Sequence, residues 1–204
     1  SVVMANPTYG QSIVSYTGTG SNATVGHGLS SAPEMYMVKS RTTGSTDWWT
    51  YHTSIGATHS LRLNSTAVAL DDASIWNDTA PTNALFSLGN YADINKSGEP
   101  LIAYCFHSVS GYSKIGTYNG TGSTHTVTLG FAAAFIMIKC TDVGHPWVML
   151  DNTRQAGTAL KYEIYANTSA AEGTDASGVL FTSTGFQITT DNSYTNESGK
   201  KFIY

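Results

Sequence analysis

The sequence predicts an all-β protein built from two tandem β-sandwich repeats. Its 204 residues include 23 Ser, 28 Thr, 20 Gly and 12 Tyr, a composition typical of strands joined by many turns. Short apolar runs alternate with Gly- and Pro-containing clusters along the whole chain. The chain also repeats itself with a period of about 100 residues. A period of that length corresponds to one small domain, or to half of a larger one, rather than to a solenoid coil of about 20–50 residues.

Four pairs of segments carry the internal repeat, and their spacing drifts only from 100 to 103 residues. The pairs are 15–20 (SYTGTG) with 117–122 (TYNGTG), 37–39 (MVK) with 137–139 (MIK), 63–66 (LNST) with 166–169 (ANTS), and 95–98 (NKSG) with 196–199 (NESG). The repeat therefore extends over most of the chain and predicts the same strand order in both halves.

The first copy is predicted to span residues 12–110, after a linker at 1–11 that contains Pro7 and Gly10. Its predicted strands are 13–17, 34–39, 48–53, 60–64, 84–88 and 101–109. Helical periodicity is weak throughout, and residues 66–73 are the one segment that suits two helical turns.

The second copy is predicted to span residues 111–204. Its predicted strands are 114–118, 124–129, 135–140, 147–151, 163–166, 179–182, 186–190 and 201–204, with one helical turn at 169–172. Aligned with the first copy, it stops in mid-strand, so we expect a C-terminally trimmed piece of a longer protein. The join at 108–113 is short, and two separate sandwiches or two halves of one large sandwich both fit it.

Charge and hydropathy exclude several classes of function. Only 12% of the residues are charged, against about 25% in typical domains, and the net charge is −4. The densest basic cluster is Lys200-Lys201, so the concentrated positive patch needed to bind nucleic acid is missing. No apolar run reaches the roughly 18 residues of a membrane span. Cys105 and Cys140 occupy non-equivalent places in the repeats, which favours free thiols over a disulfide.

The most aromatic stretch is 47–52 (DWWTYH), where strand alternation places Trp48 on one face and Trp49 with Tyr51 on the other. Trp48 aligns with Trp147 and is interpreted as a core residue of both copies. Trp49 aligns with a valine and is private to the first copy. Trp76 lies in a polar loop and is the best candidate for an exposed aromatic. Trp49, Tyr51 and Trp76 are therefore the predicted glycan-stacking residues, with core packing as the competing interpretation.

Carboxylates and histidines suggest no reaction. A glycosidase needs two carboxyl groups about 5–10 Å apart, and Asp71 with Asp72 is the best candidate pair. Adjacent acids on a loop are more often solvated or act as a helix cap. The six histidines lack zinc spacing, so no catalytic residue, metal or cofactor is predicted. Seven Asn-x-Ser/Thr sequons occur, and most of that excess is inherited through the repeat.

Several phrases resemble a tandem module of large virion proteins in tailed bacteriophages, especially those of marine and cyanobacterial hosts. They are 13–20 (IVSYTGTG), 25–29 (VGHGL), 32–35 (APEM), 97–106 (SGEPLIAYCF), 111–122 (GYSKIGTYNGTG) and 147–151 (WVMLD). The resemblance covers nearly the whole chain from about residue 12. It implies a concanavalin-like or jelly-roll-like β-sandwich in a tail fibre or other virion structural protein. It carries over no binding residue.

Three hypotheses for function follow. The leading one is a virion or extracellular appendage module with a structural role, which forms homo-oligomers and contacts other virion proteins, and for which recognition of host surface glycan is the second choice of role. The second is a polysaccharide depolymerase that uses the pair Asp71 and Asp72. The third is a lectin-like surface protein of a bacterium. The first requires no enzyme activity and no cofactor.

Overall fold

The computed structural model describes residues 1–154, 162–173 and 178–204. Strands account for 40% of these residues and helices for 6%, so the predicted all-β class is confirmed. The chain forms two compact units. Unit 1 comprises Ser1–Leu63 and Ala69–Val109, and unit 2 comprises Asn64–Val68 and Ser110–Tyr204.

Unit 1 contains nine strands in two antiparallel sheets. The strands are β1 (Val2–Asn6), β2 (Gln11–Thr17), β3 (Ala23–Gly26), β4 (Met35–Ser40), β5 (Trp49–His52), β6 (His59–Arg62), β7 (Leu70–Asp71), β8 (Leu85–Leu88) and β9 (Pro100–Phe106). The helices are a 3₁₀ turn (Pro7–Tyr9), α1 (Ala73–Trp76) and α2 (Ala92–Asn95). The large sheet has the order β1-β2-β9-β4-β5-β6-β7, and β3 pairs with β8.

The core of unit 1 lies between these two sheets. Side chains alternate between buried and exposed along β2 and β9, which gives the large sheet one apolar face. The short pair β3–β8 and helices α1 and α2 supply the opposing apolar side chains. The fully buried members include Val14, Tyr36, Val38, Trp76, Phe86, Ile94, Leu101 and Cys105.

Unit 2 repeats the central part of this arrangement; among the described residues its large sheet has five strands instead of seven, and its small sheet has three instead of two. Its strands are β10 (Thr117–Asn119), β11 (His125–Thr128), β12 (Phe135–Cys140), β13 (Val148–Asp151), β14 (Ile164–Tyr165), β15 (Val179–Thr182), β16 (Gly185–Ile188) and β17 (Lys201–Ile203). The large sheet has the order β10-β17-β12-β13-β14, which matches β2-β9-β4-β5-β6, and β11 pairs with β16 as β3 pairs with β8.

The register of the strands is also repeated. Tyr16 pairs with Leu101 in unit 1, and the corresponding pair in unit 2 is Tyr118 with Phe202. In the small sheets, the partner of Val25 is Phe86, and Val127 faces Phe186 in the same way. Residues that recur in the sequence therefore occupy the same places in two sheet frames.

The predicted linker at residues 1–11 is wrong, because most of this segment is paired. Strand β1 forms five antiparallel pairs with β2, and β-branched Val2 and Val3 suit that conformation. Asn6 caps the intervening turn by accepting a hydrogen bond from Tyr9 N, and Gly10 closes it at a φ of 65°. The residues that suggested a linker, Pro7 and Gly10, instead form a hairpin turn.

Both helical predictions are also wrong. Residues 66–69 form no helix, residues 70–71 are strand β7, and only Ala73 is helical, as the first residue of α1. Helix α1 begins only at Ala73, because the carboxylate of Asp72 accepts from Ser74 N and fixes the helix start there. Residues 169–172 contain no helix. Among the described residues, no helix is long and apolar enough to cross a membrane.

Candidate functional site

A buried asparagine holds the same three backbone segments together in each unit. Asn95 Oδ1 accepts from Thr19 N at 2.8 Å, and its Nδ2 donates to Ser21 O and Gly89 O, both at 2.7 Å. The side chain is fully buried, and every polar atom is used. Such a residue fixes a loop rather than meeting a ligand.

Asn196 makes the same contacts in unit 2. Its Oδ1 accepts from Thr121 N at 2.9 Å, and its Nδ2 donates to Ser123 O at 2.9 Å and Thr190 O at 2.8 Å. Both asparagines begin sequons, and both are 0% exposed, so neither side chain is available to a glycosylating enzyme. The duplicated Asn-x-Ser-Gly motif therefore has a structural role, because its asparagine fixes equivalent loops in both units.

The three predicted glycan-stacking residues lie in the core of unit 1. Trp49 is 2% exposed, Tyr51 3% and Trp76 0%, so the prediction of an exposed stacking platform at these residues is wrong. Tyr51 stacks on Tyr36 with ring centroids 4.6 Å apart, and Trp76 meets the same ring edge-on at 4.9 Å. Trp76 is drawn inward because α1 packs its apolar residues against the sheet.

The alternation predicted along β5 is correct, but the core face was assigned to the wrong tryptophan. Trp49 points into the core, whereas Trp48 is partly exposed and lies near Tyr104 on the other side of the large sheet, at 6.1 Å between ring centroids. Trp147, the counterpart of Trp48, is 1% exposed. The tryptophan at this position is thus buried in unit 2 and partly exposed in unit 1.

Polar groups surround the edge of the Trp49 ring. Asp93 Oδ2 accepts from the indole nitrogen at 3.1 Å and from Asp47 N at 3.2 Å. The guanidinium of Arg62 lies 5.6 Å from the ring centroid and 3.3 Å from Asp47 Oδ2. Cation–π contact and hydrogen bonding together orient these side chains around one aromatic plane.

Tyr91 completes the cluster as its exposed aromatic. It is 37% exposed and meets Trp49 edge-on at 5.2 Å. Desolvation, followed by the negative charges of Asp93 and Asp47, raises the pKa of Tyr91, so its hydroxyl stays protonated. We call Tyr91, Trp49, Asp47, Asp93 and Arg62 the Tyr91 rim. It combines an aromatic face with hydroxyl, carboxylate and guanidinium groups.

The corresponding part of unit 2 has different chemistry. Asn192 and Tyr194 stand where unit 1 has Tyr91 and Asp93. The Tyr194 ring lies 5.1 Å from that of His145, and His145 Nε2 is 3.2 Å from Glu197 Oε2. The two units therefore share their central strands but differ at the residues that correspond to the Tyr91 rim. This pattern is expected when loops on a common scaffold carry the function.

The acidic residues of unit 1 occupy structural positions, including Asp71 and Asp72, the pair considered for catalysis. Asp72 caps α1, as described above, and Asp71 lies in the edge strand β7. Glu99 accepts hydrogen bonds from the hydroxyls of Ser40, Thr42 and Thr43, which lower its pKa to about 2. A carboxyl held ionised in this way is a poor general acid at neutral pH.

Two further observations concern metal and thiol chemistry. Within the described ranges, no group of three or more His, Cys, Asp or Glu side chains is arranged to hold a metal ion. Cys105 and Cys140 are buried free thiols, as predicted, and burial raises the pKa of Cys105 to about 12.

Sequence reasoning missed Tyr91 because its partners come from β5, β6 and α2, which are far apart along the chain. One signal was present in the repeat. Tyr91 stands four residues before the duplicated Asn95, and its counterpart is Asn192. A side chain that differs between the two copies, close to the asparagine that both copies share, is a candidate for a function that only the first copy has.

Comparison with known proteins gives the family. A family model described as a domain of unknown function (DUF7483) matches residues 1–204, so the chain belongs to that family. No curated protein and no solved structure matches the chain.

Proposed function

We propose that this member of the DUF7483 family is a structural module of a virion appendage, of the tail-fibre type, and that it works outside the cell. The observation that carries the proposal is the duplicated frame. The residues that recur, such as Asn95 and Asn196, make folding contacts, and the order of the five central strands of the large sheet recurs in the second unit. A module whose recurring residues all serve its own architecture suits a building role.

The surface chemistry supports the same role. Few charges and many hydroxyl groups let a protein pack against further copies or other virion proteins without strong charge repulsion. The proposal includes no enzyme activity and no cofactor. Fibres of this kind are commonly symmetric homo-oligomers, so self-association belongs to the proposed role.

The experiment that tests this role is immunogold electron microscopy with antibodies raised against the chain. We expect gold label at regular positions on an appendage of purified particles from the source culture. Particles stripped of their appendages provide the control and should lose the label. Label confined to host cytoplasm, or to the host surface in the absence of particles, would contradict a virion role and favour a bacterial surface protein.

The Tyr91 rim favours a second role within the same module, recognition of host surface glycan. The exposed ring of Tyr91 offers a face for a sugar, and Asp93, Asp47 and Arg62 lie beside it with hydrogen-bonding groups. Glycan sites commonly combine such groups. One site of this size binds weakly, and linking copies in an appendage raises avidity by about 10²–10⁴.

We expect Tyr91→Ala to reduce the binding of a multimerised chain to a host-glycan array by about tenfold or more, because loss of an aromatic contact costs about 1–2 kcal/mol per site. Tyr9→Ala is the matched control, since Tyr9 is an exposed tyrosine of the same unit. Equal glycan binding by Tyr91→Ala, Tyr9→Ala and the unaltered chain would exclude the Tyr91 rim as the glycan site. Bound polysaccharide should keep its length, and shortening that depends on Asp71 or Asp72 would indicate a depolymerase instead.

A further inference from the structure

Negative charge predominates around the exposed ring of Tyr91. Asp93 follows Tyr91 by two residues, in the first turn of α2. Ser74 brings Asp72 to the same place, because its carbonyl accepts from Tyr91 N at 3.0 Å while its own N–H donates to Asp72 Oδ1 at 2.8 Å. Asp72 is therefore a further carboxylate beside the Tyr91 rim, which already contains two.

One guanidinium does not balance these three carboxylates. Arg62 Nη1 lies 3.3 Å from Asp47 Oδ2 and pairs with that carboxylate. With this ion pair formed, the negative charges of Asp93 and Asp72 are left over. The pKa of Tyr91 reflects this excess, since desolvation and the three carboxylates raise it and Arg62 offsets only part of the rise.

The two remaining carboxylates each keep one oxygen for a ligand. Asp93 accepts from Trp49 Nε1 and from Asp47 N through Oδ2 alone. Asp72 accepts from the N–H and the hydroxyl of Ser74 through Oδ1 alone. Within the part of the chain that the structure describes, no group donates to Asp93 Oδ1 or to Asp72 Oδ2. Both residues are partly exposed, so these oxygens can accept hydrogen bonds from a ligand at the surface.

We propose that the Tyr91 rim selects glycans whose sugars carry a free, protonated amino group. The inference deepens the proposed glycan recognition and rests on it. The Tyr91 ring contacts the apolar side of the sugar and attracts its ammonium group, which donates to Asp93 Oδ1 or Asp72 Oδ2. An N-acetylated sugar keeps the apolar side but loses the charge. A uronic acid or a sialic acid brings a like charge beside the carboxylates and is disfavoured.

Matched oligosaccharides test this selection, with a multimerised chain and immobilised probes at about pH 6, where a sugar amine is protonated. The probes are a glucosamine oligomer, its fully N-acetylated form and a uronic acid oligomer of the same length. We expect the glucosamine oligomer to bind about tenfold more tightly than the N-acetylated form, and the uronic acid oligomer to bind least. Raising the salt concentration from about 0.05 M to about 0.5 M should reduce this preference, because salt screens charges at a surface.

Two substitutions remove the charge and keep the local hydrogen bonds. In Asp93→Asn and Asp72→Asn, the amide oxygen still accepts from the present donors, and asparagine caps a helix as well as aspartate does. Each variant should reduce the preference for glucosamine over N-acetylglucosamine by about threefold. Asp78→Asn is the matched control, since Asp78 is an exposed aspartate of unit 1 that does not contribute to the pKa shift of Tyr91. It removes the same charge and should keep the preference, and circular dichroism checks that each variant folds.

The outcomes separate this inference from the proposed glycan recognition. Equal binding of the glucosamine and N-acetylglucosamine oligomers, or no binding of the glucosamine oligomer, would overturn the inference. A loss of preference in Asp78→Asn as large as in Asp93→Asn would also overturn it, because attraction to the whole chain would then explain the binding. If Tyr91→Ala still loses binding to another glycan of the array, the Tyr91 rim remains a glycan site and only the selection for amino groups fails.

Discussion

Asn95→Ala is expected to lower the free energy of unfolding of unit 1 by about 3–5 kcal/mol. The substitution leaves Thr19 N without its acceptor and the carbonyls of Ser21 and Gly89 without their donor, around a side chain that is itself 0% exposed. Each buried polar group left unpaired costs about 1–3 kcal/mol. Urea unfolding measures the loss, and hydrogen exchange read by mass spectrometry assigns it to unit 1.

The repeat supplies an internal replicate and the surface supplies a control. Asn196→Ala should cause a similar loss in unit 2, because its hydrogen bonds match those of Asn95 within about 0.2 Å. Asn22→Ala removes an exposed asparagine and should change stability by less than about 0.5 kcal/mol. If Asn95→Ala changed the free energy of unfolding as little as Asn22→Ala does, the hydrogen bonds of Asn95 would not stabilise unit 1.

The sequence predicted strands well where alternation and turn residues agree. Residues 135–140 were predicted as a strand and form β12 with those limits. Strand β1 was missed because its signal, a short apolar run at residues 2–5 just before Pro7, becomes decisive only when β2 pairs with it. Strand β3 was missed for the same reason, although its counterpart at 124–129 was predicted. Pairing partners distant in sequence decide such cases.

The candidate site was less predictable than the fold. Alternation placed Trp48 and Trp49 on opposite faces, but it carries no information on which face meets the second sheet. Trp76 was assigned to a polar loop, yet α1 turns its side chain into the core. The Tyr91 rim depends on the approach of Asp93 to the Trp49 indole across 44 residues of sequence. Contacts of that kind are set by tertiary structure, which neither composition nor spacing encodes.

Gly18→Ala and Gly120→Ala are each expected to cost about 3 kcal/mol, from overpacking against backbone rather than from strain in φ. A Cβ atom on Gly18 would lie 2.2 Å from Lys96 O, and one on Gly120 would lie 2.1 Å from Glu197 O. Neither neighbour yields easily, because Gly18 N and O bond to Glu99 and Gly98, and Gly120 is held by Lys200 and Gly199 in the same pattern.

Gly44→Ala separates this steric effect from the general effect of replacing glycine. Gly44 has open space around its Cβ position and no left-handed φ, so alanine should leave stability unchanged or raise it by about 0.4–1 kcal/mol. Urea unfolding of the three variants measures the contrast, and hydrogen exchange should show the Gly18 loss in β2 and β9 and the Gly120 loss in β10 and β17. A loss from Gly44→Ala equal to that from Gly18→Ala would contradict close backbone approach as the reason for the recurring glycine. The recurrence of that close approach in both units also explains why the SYTGTG and TYNGTG phrases occur together with NKSG and NESG, since each glycine packs against the backbone of the duplicated asparagine and the residue after it.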